Sequence, residues 1–100
     1  MSTPHIGHVT HYYDHLQVAI LSLTDGLRVG DYIYIHGHTT NFHQKVTSLQ
    51  INHGWVQAAQ PGQEVALKVS APVRPHDVLD RSTAEETEKA QAEELLEHAW

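Results

Sequence analysis

The sequence predicts an all-β fold: a small closed antiparallel β-barrel over residues 1–81, followed by an acidic C-terminal α-helix over residues 82–100. Three observations predict it. Apolar and polar residues alternate over short runs, as at 32–36 and 64–70, which is the period of a half-buried strand. Glycine, proline, asparagine and aspartate recur between these runs, roughly every 8–12 residues, the turn rhythm of a closed antiparallel barrel. At Ser82 the pattern then changes from period two to a helical one.

The elements follow in order. Residues 6–13 read as the first strand, with Val9, His11 and Tyr13 on one face and His8, Thr10 and Tyr12 on the other. Asp14 and His15 make a short turn. Residues 16–23 are almost continuously apolar, which suggests a strand buried on both faces or set at a barrel corner. Asp25-Gly26 is a turn signal. Gly30 can take positive φ where the chain reverses, and Asp31 can bond its own backbone there. Residues 32–36 place Ile33 and Ile35 on one face, opposite Tyr32, Tyr34 and His36. Residues 37–41 form a loop, and residues 42–51 a long return strand. The apolar side of that strand switches between Val46 and Leu49, and a β-bulge would repair it. After a turn at 52–54, residues 55–59 form a short segment with Trp55 expected in the core. Gln60-Pro61-Gly62-Gln63 is a turn, and residues 64–70 a strand with Val65, Leu67 and Val69 inward. Residues 72–77 form an irregular link, and Val78-Leu79 would close the barrel. Ser82 with Glu85 forms a capping box, with Thr83 and Glu86 as the alternative one residue on. Ala92, Leu95, Leu96, Ala99 and Trp100 form a narrow apolar stripe, so the helix should dock on the barrel, pair with a copy of itself as a homodimer, or meet a partner.

Composition excludes several classes of function. One hundred residues without a cysteine leave one domain, no disulfide and no thiolate metal site. The start lacks a basic region followed by an apolar run, and no apolar stretch approaches the ~20 residues of a membrane span, so a soluble cytoplasmic protein is expected. The formal charge of -6 lies mostly in the tail. Neither half has the basic excess of a general nucleic-acid binder. No G-x-x-x-x-G-K-[ST] run, G-x-S-x-G or cysteine nucleophile is present, so no enzymatic activity and no cofactor are expected.

The stretch GLRVGDYIYIHGHTTNFHQKVTSLQ, followed by AAQPGQEVALKVSAPVRPHDVL, resembles the second-domain β-barrel of translational GTPases such as elongation factor Tu. It is closer still to small translation elongation factor-like proteins that consist of that barrel alone. The resemblance covers about residues 6–81, and Gly7-His8-Val9-Thr10-His11-Tyr12 fits the G-x-V-x-x-Y pattern of the first strand. It implies an accessory barrel without the GTPase engine, contacting the ribosome, tRNA or a translation-associated protein. Such contacts would fall near the loop, at His38, Thr39, Thr40 and Asn41, with charge from Arg28, Lys45 and Arg74. Tyr32, Tyr34 and His36 share a strand face and could stack on single-stranded bases, or pack against the helix or neighbouring strands.

The same barrel type occurs at the C-terminus of collagenase-like peptidases, where it looks like an accessory domain. On this alternative the chain is a protein-interaction subunit, and Leu95, Leu96 and Trp100 are its docking element. The ten histidines offer a third reading: His36 and His38 on one strand, with His43 across the loop, have spacing compatible with zinc, nickel or copper. The competing reading is of exposed polar side chains on a barrel wall.

Overall fold

In the computed structural model, residues 5–97 are described, those from 94 to 97 as backbone only. Ten strands precede one helix: β1 (His5–Tyr13), β2 (Val18–Leu23), β3 (Leu27–Arg28), β4 (Tyr32–His36), β5 (Asn41–Lys45), β6 (Leu49–Ile51), β7 (Gly54–Val56), β8 (Ala58–Ala59), β9 (Glu64–Lys68), β10 (Val78–Arg81) and α1 (Ala84–Glu97). Eight strands form one antiparallel sheet in the order β5-β4-β10-β1-β2-β9-β6-β7, and β3 pairs with β8 beside it. The protein is mostly β with one C-terminal helix, but the sheet is an open, curled half-barrel. Its two edges, β5 and β7, do not pair, which corrects the expected closed barrel.

The inward positions of the alternating strands make the core. Ile33 and Ile35 of β4, Val65 and Leu67 of β9, and Ala19, Leu21 and Leu23 of β2 are buried. Val18, Ile20 and Ser22 are only half-buried, so β2 has one core face, not two. Gln44 is buried among these residues. Its amide N–H donates to the Lys68 carbonyl at 2.9 Å and its Oε1 accepts from the Ser70 N–H at 2.8 Å. That side chain ties edge strand β5 to the chain leaving β9, where ladder bonds are missing.

Three local expectations change. In β1 the register shifts between Val9 and His11, so Tyr12 packs against the core while His11 and Tyr13 are exposed. The expected return strand is two strands. At the break, the Val46 N–H donates to the Asp31 carbonyl and its carbonyl accepts from the Gly30 N–H. Val46 thus pairs with the turn before β4, and the chain then crosses to β9. Trp55 is 72 % exposed, not in the core, because β7 is an edge strand and its outer face lacks a covering layer among the described residues.

The helix is capped by the second of the two expected registers. The Glu86 N–H donates to Thr83 Oγ1 at 3.1 Å, and the Ser82 N–H extends the β10–β4 pairing to the Tyr32 carbonyl. The helix packs against β5 and β4. Thr87 is buried and Ala90 half-buried, whereas Ala92 of the expected stripe is exposed. The side chains of Leu95 and Leu96, and all of Trp100, lie outside the described residues.

Candidate functional site

Two groups of polar residues stand out, joined through β4. The first lies at the end of the sheet, where the β4–β5 loop meets the link before β10. Thr39, Thr40, Asn41, Phe42, Ala71, Pro72, Val73 and Arg74 surround a depression of about 410 Å³. The loop is tight: the Gly37 N–H donates to the Thr40 carbonyl at 2.9 Å, and Thr40 is buried. Asp77 holds the facing link. It is buried, its Oδ2 accepts from the Arg74 N–H at 2.9 Å, and its Oδ1 occupies the space a Cβ on Gly37 would need. The Val9 N–H donates to the Asp77 carbonyl, and the His76 N–H to the Val9 carbonyl, fixing the link to β1. Arg74 remains exposed at the rim, so this end presents one cation beside hydroxyl and amide groups.

The second group lies on the outer face of β4, β5 and β10. Register places His43, Tyr34, Asp80 and His5 in one row across four strands. The His36 and His43 rings both stack on Tyr34, at centroid distances of 4.5 and 4.4 Å. His36 Nε2 lies 2.7 Å from Asp80 Oδ2, and His5 Nδ1 lies 3.8 Å from Asp80 Oδ1. This is a carboxylate-oriented imidazole held by aromatic stacking. Two residues along the same pair of strands, Lys45 Nζ sits 5.9 Å from the Tyr32 ring centre, within cation–π range.

The residues expected to bind a partner are therefore not gathered in one place. Thr39, Thr40, Asn41 and Arg74 meet at the loop end. Tyr32, Tyr34, His36 and Lys45 share the outer face, and the tyrosines pack on neighbouring side chains. His38 is exposed in the loop. Arg28 is at the opposite end of β4, beside a depression of about 330 Å³ that Arg81 also lines. The trio His36, His38 and His43 does not converge on a metal. Tyr34 stacks on two of them, His36 is engaged by Asp80, and no group of three His, Asp or Glu side chains among the described residues could hold an ion. Sequence reasoning missed Asp77 and Asp80. His36 and Asp80 meet 44 residues apart, which no local pattern encodes, although His76-Asp77 before a strand has the form of a turn signal.

No helix among the described residues is long and apolar enough to cross a membrane. No family model matches the chain. An uncharacterized protease of Methanocaldococcus jannaschii is 40 % identical over 73 residues, 72 % of this chain. The chain spans only 18 % of that protease's length. The crystal structure of the C-terminal domain of a U32 peptidase from Geobacillus thermoleovorans superposes with a TM-score of 0.76 at 25 % identity, covering 83 % of this chain and 99 % of that domain. Its selenomethionine variant superposes with a TM-score of 0.73. These findings overturn the resemblance to translation elongation factors, since the relatives are a protease and the C-terminal domain of a peptidase. They also correct the expectation of no enzymatic activity toward an enzyme context, because the chain's similarity runs to a protease. The chain is similar, over nearly that domain's full length, to the C-terminal domain of a U32 peptidase.

Proposed function

We propose that this chain works as the accessory β domain of a U32-type peptidase, helping the peptidase hold the polypeptide it cleaves. The observation that carries this reading is the match to a peptidase C-terminal domain over 99 % of its length, with a TM-score of 0.76. The 40 % identity to a stretch of a much longer protease supports it from the sequence side. In this reading the strands and the helix act as one unit, because α1 packs on β5 and β4. The loop end around Thr39–Asn41 and Arg74 is a surface suited to polar contacts with the rest of a peptidase. The absence of cysteine suits a cytoplasmic setting.

A graft tests the reading. The 73-residue matching stretch of the Methanocaldococcus jannaschii protease is deleted in one variant and replaced by this chain in another. Hydrolysis of an unfolded protein substrate is followed in both. Deletion is expected to raise KM more than it lowers kcat, and the graft is expected to restore KM. A folded graft no better than the deletion would sink the reading.

A further inference from the structure

We infer that the outer face of β2, β9, β6 and β7 is a docking groove for an extended polypeptide segment that inserts one large apolar side chain beside Trp55. Register sets Trp55, Gln50, Ala66 and Ile20 in one row across these four strands. Trp55 rises at the open edge, and Ala66 in the middle of the row is small. The result is a trough. On one side of the row, Leu16, Val18, Ser48, Gln50, Trp55, Ala66 and Lys68 enclose a depression of about 240 Å³. On the other, a second depression of about 270 Å³ lies over Ile20, Gln50 and Ala66.

The walls are preformed. Leu16 sits on the turn between β1 and β2, where Gln17 has φ 55°. Lys68 Nζ donates to the Leu16 carbonyl at 2.9 Å, and the Val69 N–H donates to the Gln17 carbonyl at 2.9 Å. Leu16 is nevertheless 61 % exposed and Trp55 72 %. Both border one depression, and an exposed apolar patch of this kind marks a contact surface. The hairpin carrying Trp55 is fixed as well. Asn52 and His53 have φ of 50° and 67°, the primed-turn geometry that matches strand twist.

Size chooses the occupant. The exposed parts of Leu16 and Trp55 offer on the order of 300 Å², well under the ~800 Å² per partner in a stable interface. That is too little to hold two copies together. A depression of about 240 Å³ has room for one leucine or phenylalanine side chain. Gln50 and Ser48 at the trough floor supply hydrogen-bonding groups for the backbone of that segment.

The test titrates this chain with a seven-residue glycine–serine peptide bearing one central phenylalanine and a lysine at each end. Binding is read by NMR from the backbone amides at positions 50, 55 and 68, and in the unchanged chain from the Trp55 indole as well. Two variants keep the fold while changing the groove: Trp55→Ser removes the exposed wall, and Ala66→Leu fills the floor. Saturable binding that weakens about tenfold or more in both variants, and in a peptide with alanine at the centre, is expected. Three results would overturn the inference: no saturable shift at Trp55, equal affinity in Ala66→Leu, or shifts that follow protein concentration and sediment as a dimer. The experiment uses this chain alone, so its answer does not depend on the peptidase graft.

Discussion

Gly37 and Asp77 compete for one space at the loop end, and the outcome shows how a single missing Cβ builds a site. A methyl group on Gly37 would overlap Asp77 Oδ1, while Oδ2 of the same carboxylate holds the Arg74 N–H. Gly37 has no positive φ, so the demand for glycine there is steric, not conformational. Gly37→Ala should therefore displace a buried carboxylate and cost about 1–3 kcal/mol, the usual range for overpacking. Urea unfolding measures the loss. The two residues act on one contact, so Gly37→Ala combined with Asp77→Ala should cost less than the sum of the single changes. Additive costs would mean that the loop yields elsewhere. A similar close approach occurs at Gly7, whose missing Cβ admits the Ser22 carbonyl across the β1–β2 pair.

At the scale of elements, α1 carries both a well-made feature and a flaw. Its start is secured by Thr83, and Thr83→Ala should cost about 1 kcal/mol, visible as a lower unfolding midpoint. One turn on, Thr87 is buried with no hydrogen-bond partner for Oγ1 among the described residues. A buried unpaired hydroxyl is costly, and valine has nearly the same shape. Thr87→Val should stabilise by about 1 kcal/mol, measured by the same denaturation; a loss would show that the hydroxyl has a partner. Elements of this kind were readable in advance where local pattern and tertiary role agree. The alternation put Ile33 and Ile35 on one face of β4 and Val65 and Leu67 inward on β9, and all four are buried; the Thr83 cap was one of two registers the sequence allowed. The failures come from long-range geometry. The break after Lys45 exists because Val46 pairs with Gly30 and Asp31, and the shift in β1 turns Tyr12 toward the core. Trp55 looked like core from its size alone, but a side chain's exposure on an edge strand depends on what lies beyond the edge. At the candidate site, the loop residues were visible as glycine and threonine punctuation. Their partner Asp77, and the Asp80 clamp on His36, were set by pairings between distant strands.

For the whole molecule, an open sheet has two edges, and this one treats them differently. At β5 the helix packs against the edge strand, and the Gln44 side chain ties that strand across the gap to Ser70 and Lys68. At β7 the edge is three residues long and carries Trp55 without comparable cover among the described residues. A short strand is itself a defence against edge-to-edge pairing, whereas the five-residue β5 needs covering. Removal of residues 83–100 should thus uncover β5 and promote self-association, followed by sedimentation velocity across a concentration series. That truncation also removes most of the net negative charge, since the tail carries six acids against one base. Salt separates the two causes. If repulsion alone keeps the full chain monomeric, 1 M salt, where the Debye length falls to about 3 Å, should make it associate like the truncated one. If the helix protects the edge, the full chain stays monomeric in high salt and only the truncated chain associates. The second outcome is expected, because α1 rests on β5 through the uncharged Thr87 and Ala90 side of the helix, while its acidic residues Glu85, Glu86, Glu88 and Glu93 face solvent.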